Sequence, residues 1–137
     1  MESFEQPSFL LVFVKAATDL VLVGRFYTHT VKQSISESPV YRNGHFCIEP
    51  CLTCFVPGYL IVTPQLPAAS LSELGSEALA SLGPTLAAAT RAIELVVRPE
   101  RVYCALFAEE TRSVHFHLFP RSAWLVSQYA TAHPVGH

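Results

Sequence analysis

The stretch "RSVHFHLFPR", Arg112 to Arg121, decides how this chain is read. His115 and His117 are two apart, and residues two apart on a strand project from the same surface. Val114, Phe116, Leu118 and Phe119 fill the run with β-branched, aromatic and aliphatic side chains, and Pro120 with Arg121 ends it. The stretch therefore reads as a strand with two imidazoles on one face. The question it poses is whether they work as a pair.

The neighbouring segments supply the fold. "RVYCALFA", Arg101–Ala108, reads as a second strand, and the short loop "EETRS" returns the chain so that the two form an antiparallel hairpin. Upstream, Leu74, Ala78, Leu82, Leu86, Ala89, Ile93 and Val96 recur at intervals of three or four, the spacing of one helix face. Ser70 or Ser72 is the expected N-cap of that helix, Gly83-Pro84 is expected to bend or split it, and Arg98-Pro99 stops it. Further upstream, Pro57-Gly58 turns the chain into the apolar strand "YLIVTP". "VYRNGHFCIEP" places Asn43-Gly44 between two alternating runs, so two strands are expected to meet there. "SISESP" is a polar connection. "FLLVFV" and "DLVLVGRFYT" are extended or short helical segments whose uniform apolarity does not choose between the two, and "SAWLVSQYATAHP" closes the chain as a short helix. Mostly antiparallel strands around one long helix make an α+β domain: a central antiparallel sheet of about five strands, a long helix and a short C-terminal helix.

Composition bounds the rest. A length of 137 residues fits a single domain covering 1–137, with no internal repeat or linker. Half of the residues are hydrophobic and only 15% are charged, which implies apolar surface held against a partner subunit, hence a homodimer. A formal charge of -2 and the absence of any Lys/Arg cluster interleaved with aromatics point away from polymeric nucleic acid. The early apolar run is broken by Lys15 and Asp19, and Glu2 and Glu5 stand where a secretion signal is basic. No membrane association is expected, and a soluble cytoplasmic protein is. Cys47, Cys51, Cys54 and Cys104 are then expected to be reduced thiols.

Three chemistries could use the histidine pair. His-x-His offers two nitrogens to a metal, with Cys51, Cys54 or Glu49 as further ligands, although "CLTC" has no second pair at a finger or ribbon spacing. One imidazole could instead attack phosphorus, provided that its far nitrogen donates to a fixed carbonyl. Or the pair could simply bind an anion. Thr111, Arg112 and Ser113 in the adjoining loop supply donors for either of the last two, while Glu109 and Glu110 oppose them.

"SVHFHLFPR" resembles the signature of the histidine triad superfamily, in which three histidines alternate with apolar residues on the last core strand. "FVPGYLIVTP" resembles its Pro-Gly strand, and "LSELGSEALASLGPTLAAATRAIE" with "RVYCALFAEE" resembles the helix and penultimate strand of small bacterial members. The likeness spans about 40–134 and leaves 1–39 as an N-terminal extension of undefined role. It implies an α+β homodimer that binds a nucleotide or nucleoside-phosphate small molecule without a cofactor or metal. It further implies hydrolysis or nucleotidyl transfer on a phosphate ester, anhydride or phosphoramidate through a nucleotidyl-histidine. On this reading His115 is the nucleophile and His117 the phosphate partner near the leaving group. Thr111, Arg112, Ser113 and Tyr59 bind substrate, and Ile48 and Cys51 border the nucleoside.

The chain departs from the pattern at three positions. Ser113 stands where the first histidine belongs, Tyr59 where many members carry histidine, and Cys51 where many carry a polar ribose ligand. The carbonyl at the first triad position survives the change to Ser113, so the chemistry is retained in principle. Ser113 and Tyr59 are expected to hydrogen-bond to each other in place of an imidazole pair. The alternative is a binding module that holds nucleotide without turning it over; a metal protein is the third reading.

Overall fold

The computed structural model describes residues 39–52, 54 and 56–132. The two apolar segments before residue 39 lie outside them. Five strands, β1 (Tyr41–Arg42), β2 (Phe46–Pro50), β3 (Leu60–Pro64), β4 (Arg101–Ala105) and β5 (Phe116–Arg121), form one sheet in the order β1-β2-β3-β5-β4, with every neighbouring pair antiparallel. Helix α1 (Ser76–Val97) links β3 to β4, and α2 (Ala123–Ala132) follows β5. The domain is α+β, as its sequence pattern indicates.

Alternation sorts the sheet into two faces. Phe46 and Ile48 on β2, Leu60 and Val62 on β3, and Phe116 and Leu118 on β5 are buried and pack with Ala89, Ala92 and Ile93 of α1. Two alanines on the helix let its backbone approach the sheet closely. The opposite face carries Cys51, Tyr59, Ile61, His117 and Phe119, so one face of the sheet makes the core and the other is left for function.

Three local expectations are corrected. Helix α1 is one continuous element through Pro84, so Gly83-Pro84 does not split it. Proline removes one helical N–H, but packing of Thr85, Ala89, Ala92 and Ile93, all buried, holds the helix against the sheet. Ser70 caps a single 3-10 turn, Leu71–Glu73, and α1 starts later, behind Gly75. The first hairpin turns one residue later than Asn43-Gly44. Its register places Arg42 opposite Cys47, with Asn43 donating its N–H to the Phe46 carbonyl at 3.0 Å, which leaves Gly44-His45 at the tip. The Asn43 carboxamide oxygen accepts from the His45 and Phe46 N–H groups at 2.9 and 2.7 Å. The turn is therefore held by the asparagine side chain rather than by a left-handed glycine.

The end of α1 agrees with its sequence signal. Arg98 takes a left-handed conformation at φ 51 and donates its N–H to the Glu94 carbonyl, because the following proline excludes another helical residue.

Candidate active site

The histidines belong to the sheet face turned away from α1. Register places Ile61 beside His117 and Ala105 on its other side, and continues to Tyr59 beside Phe119. The His115 and His117 rings stand 4.7 Å apart, edge to face. Both are partly exposed, while Val114, Phe116 and Leu118 between and beside them are buried. His117 is in β5 and His115 immediately precedes it, and the two imidazoles stand at one place.

The two rings are held by different partners. His115 Nδ1 lies 2.8 Å from the Ser113 carbonyl oxygen. A carbonyl only accepts, so Nδ1 carries a proton, and in the neutral ring the lone pair is then on Nε2. His117 Nδ1 lies 2.7 Å from the Tyr59 hydroxyl. Burial, and next the neighbouring His115, lower the pKa of His117 below its ordinary value. Burial, followed by the Cys51 and Cys54 thiols, raises that of Tyr59. At neutral pH the pair is a neutral imidazole and a neutral phenol.

The hydroxyl pair expected between Ser113 and Tyr59 is not formed. Tyr59 bonds to His117, which shares its face one register step away, whereas Ser113 precedes the strand and contributes its carbonyl. Ile48, expected beside a nucleoside, is fully buried on the α1 face, the opposite side of the sheet. An even-numbered position on β2 cannot share a surface with Cys51. Thr111 and Arg112 are exposed in the β4–β5 connection, and neither is hydrogen-bonded to an imidazole. Cys51 does reach the site edge: its N–H donates to the Tyr59 carbonyl at 3.0 Å, continuing the β2–β3 ladder.

Two aromatic residues at the site escape the sequence reading. Phe119 meets Tyr59 edge-on at 5.1 Å, and Phe107 stands 6.1 Å from the His117 ring while 68% exposed. Phe119 was legible, being two residues beyond His117. Phe107 follows β4, and the next residue, Ala108, is left-handed at φ 52, a turn for which alanine gives no sequence signal.

None of Cys47, Cys51, Cys54 and Cys104 is joined in a disulfide. Among the described residues no group of three or more His, Cys, Asp or Glu side chains is gathered to hold a metal. A cavity of about 400 Å³ opens elsewhere, between Gly44-His45, Gln65–Ala68 and the start of α1. It includes neither His115 nor His117, and the Glu73 carboxylate on its wall already accepts the Ala69 N–H at 2.9 Å. The chemistry of the imidazole face outweighs the size of that cavity. No described helix is long and apolar enough to cross a membrane.

No family model matches the chain, and no curated protein matches it. Solved structures do. A member of the HIT family from Bacillus subtilis superposes with a TM-score of 0.57 at 14% identity, over 77% of this chain and 93% of that one. A HIT-like protein from Bartonella henselae, involved in cell-cycle regulation, gives 0.56 at 18% identity over 67% and 75%. The diadenosine triphosphate hydrolase of Plasmodium falciparum gives 0.54 at 12% identity over 86% and 98%. The fold of this chain is that of the histidine triad proteins.

Proposed function

We propose that this protein is a nucleotide hydrolase or nucleotidyl transferase, acting through a nucleotidyl group carried on His115. The observation that carries the reading is the 2.8 Å contact between His115 Nδ1 and the Ser113 carbonyl. In the neutral ring it leaves the lone pair on Nε2 of a half-exposed side chain, the requirement for attack on phosphorus. The likeness in fold to a diadenosine triphosphate hydrolase supports the substrate class.

In the first step the Nε2 lone pair forms a bond to phosphorus while the bond to the leaving oxygen breaks, its electron pair departing with the leaving group. The ring becomes cationic, and its Nδ1–H bond to the Ser113 carbonyl stabilises that charge. In the second step water, or an acceptor hydroxyl, attacks phosphorus, the P–N bond breaks and its electron pair returns to Nε2. The incoming oxygen gives up one proton to solvent. His117 sits beside the leaving group, and Thr111, Arg112 and Ser113 in the adjoining loop are the donors available to phosphate oxygens once substrate orders them. Cys51 lies at the nucleoside end.

The exposed Tyr103, Leu106 and Phe107 on and after β4, and Trp124 and Tyr129 on α2, support a homodimer that covers part of this surface. Four cysteines without a disulfide among them suit the reducing cytoplasm. The test is to mix the protein with α-labelled dinucleoside triphosphate and quench in alkali, which preserves phosphorus–nitrogen bonds. Label retained on wild type and absent from His115→Ala establishes the intermediate. Nucleotide that raises the melting temperature but is recovered unchanged, with no label retained, makes the protein a binding module instead.

A further inference from the structure

We infer that Tyr59 is a positioning residue that fixes the proton of His117 on Nε2, and that this restricts the site to leaving groups departing as weakly basic anions, phosphoanhydrides rather than phosphoramidates. The second half rests on the reading of His115 as nucleophile; the first does not.

The argument starts from the 2.7 Å contact between the Tyr59 hydroxyl and His117 Nδ1. Two neutral groups share one hydrogen there. Phenol is the stronger donor and imidazole nitrogen the stronger acceptor, so the hydroxyl gives its hydrogen to a bare Nδ1, and the ring proton is on Nε2. Burial keeps both groups uncharged: it lowers the proton affinity of His117 and raises that of the Tyr59 phenolate, with the Cys51 and Cys54 thiols adding to the second effect. Tyr59 is itself held in place. It meets the edge of Phe119 at 5.1 Å, and it follows Gly58, which is locked at φ +80 beneath the end of α1. The two histidines therefore carry opposite tautomers. His115 presents a lone pair and His117, 4.7 Å away, presents an N–H.

The leaving group feels the difference. When His115 attacks a phosphoanhydride, the bridging oxygen takes the electron pair and departs as a stable phosphate anion. It needs only a hydrogen bond, which the Nε2–H of His117 gives, and no proton moves. A phosphoramidate must expel an amine, so its nitrogen has to gain a proton before the P–N bond breaks. A neutral imidazole backed by a neutral phenol holds its N–H too strongly to supply one. The missing proton transfer sets a preference for anhydride of about 10²-fold or more.

Long-range proton–nitrogen NMR on the uniformly ¹⁵N-labelled full chain reads the tautomer directly. Wild type is expected to show His117 protonated at Nε2, and Tyr59→Phe, which keeps the ring against Phe119, to show a mixture. A His117 proton on Nδ1 in wild type, or a pattern unchanged in Tyr59→Phe, overturns the assignment of Tyr59. In the kinetic arm, a dinucleoside triphosphate and a phosphoramidate of the same nucleoside are compared. Wild type should favour the anhydride, and Tyr59→His, which places a proton-exchanging ring behind Nδ1, should raise the relative phosphoramidate rate by about tenfold. Equal rates on both substrates in wild type overturn the leaving-group inference. Turnover of neither, with no label on His115, overturns the nucleophile and the leaving-group inference together, while the spectrum still decides Tyr59.

Discussion

His115 and Ser113 are joined through a backbone atom: the imidazole Nδ1 donates to the Ser113 carbonyl at 2.8 Å, and the serine hydroxyl takes no part. A side-chain change at 113 should therefore leave the ring in place. Ser113→Ala is expected to keep the nucleophile and lose no more than about tenfold, the share of one phosphate donor, whereas His115→Ala loses the nucleophile and about 10³-fold or more of the rate. Single-turnover kinetics on the two variants check this, and a Ser113→Ala variant as slow as His115→Ala would show that the hydroxyl is needed.

Gly58 sits where no other residue fits. Its φ of +80 favours glycine, and a Cβ built on it would lie 2.4 Å from the Val97 side chain at the end of α1. Gly58→Ala is expected to cost about 2–4 kcal/mol from backbone strain and overpacking together. Adding Val97→Ala should recover the packing part and leave the φ part. Denaturant melts of the single and double variants separate the two.

Asn43 joins the first hairpin to the helix. Its oxygen takes two turn N–H groups and its nitrogen donates to the Thr85 hydroxyl at 3.0 Å, beneath the surface. Asn43→Ala should cost about 2–4 kcal/mol, the sum of three such bonds with Thr85 left part-satisfied. Asn43→Asp keeps the two N–H bonds and should fall between. Gly44→Ala, by contrast, adds a Cβ with nothing within 4 Å and at no positive φ, so its effect should stay within about 0.5 kcal/mol. A large loss at Gly44 would mean that the turn depends on the glycine after all.

These residues also show what the sequence could and could not say. Period-two alternation of buried Val114, Phe116 and Leu118 with half-buried His115 and His117 was legible and brings the two rings together, although β5 itself starts only at Phe116. That Gly83-Pro84 would not split α1 was not legible, because the helix is held by tertiary packing: the buried Thr85 beside the proline meets Asn43, a contact 42 residues away in sequence. Asn-Gly misled because the same dipeptide can serve through backbone freedom or through a side-chain cap. The Tyr59 partner was out of reach for a third reason. Register among β2, β3 and β5 decides whether Tyr59 meets Ser113 or His117, and no local pattern encodes the offset between strands separated by the whole of α1.

The neutral state of His117 makes a prediction for acid. Burial first, and His115 second, push its pKa below the ordinary 6.5. In the unfolded chain the ring regains a value near ~6.5. Between the folded and unfolded values the unfolded chain binds more protons, so stability rises with pH through that window. The contribution is complete above 6.5 and is lost as pH falls through the folded value. Removing the titrating ring in His117→Gln should flatten this part of the pH dependence of the melting temperature. The same protonation changes activity: an imidazolium at 117 can no longer accept the Tyr59 hydrogen at Nδ1, but it becomes a proton donor at Nε2. Acid should therefore narrow the gap between phosphoramidate and anhydride substrates, with the midpoint of the change matching the NMR titration of the His117 ring below 6.5. A midpoint at or above 6.5 would contradict the burial that this ring owes to its place beside Tyr59 and Phe107.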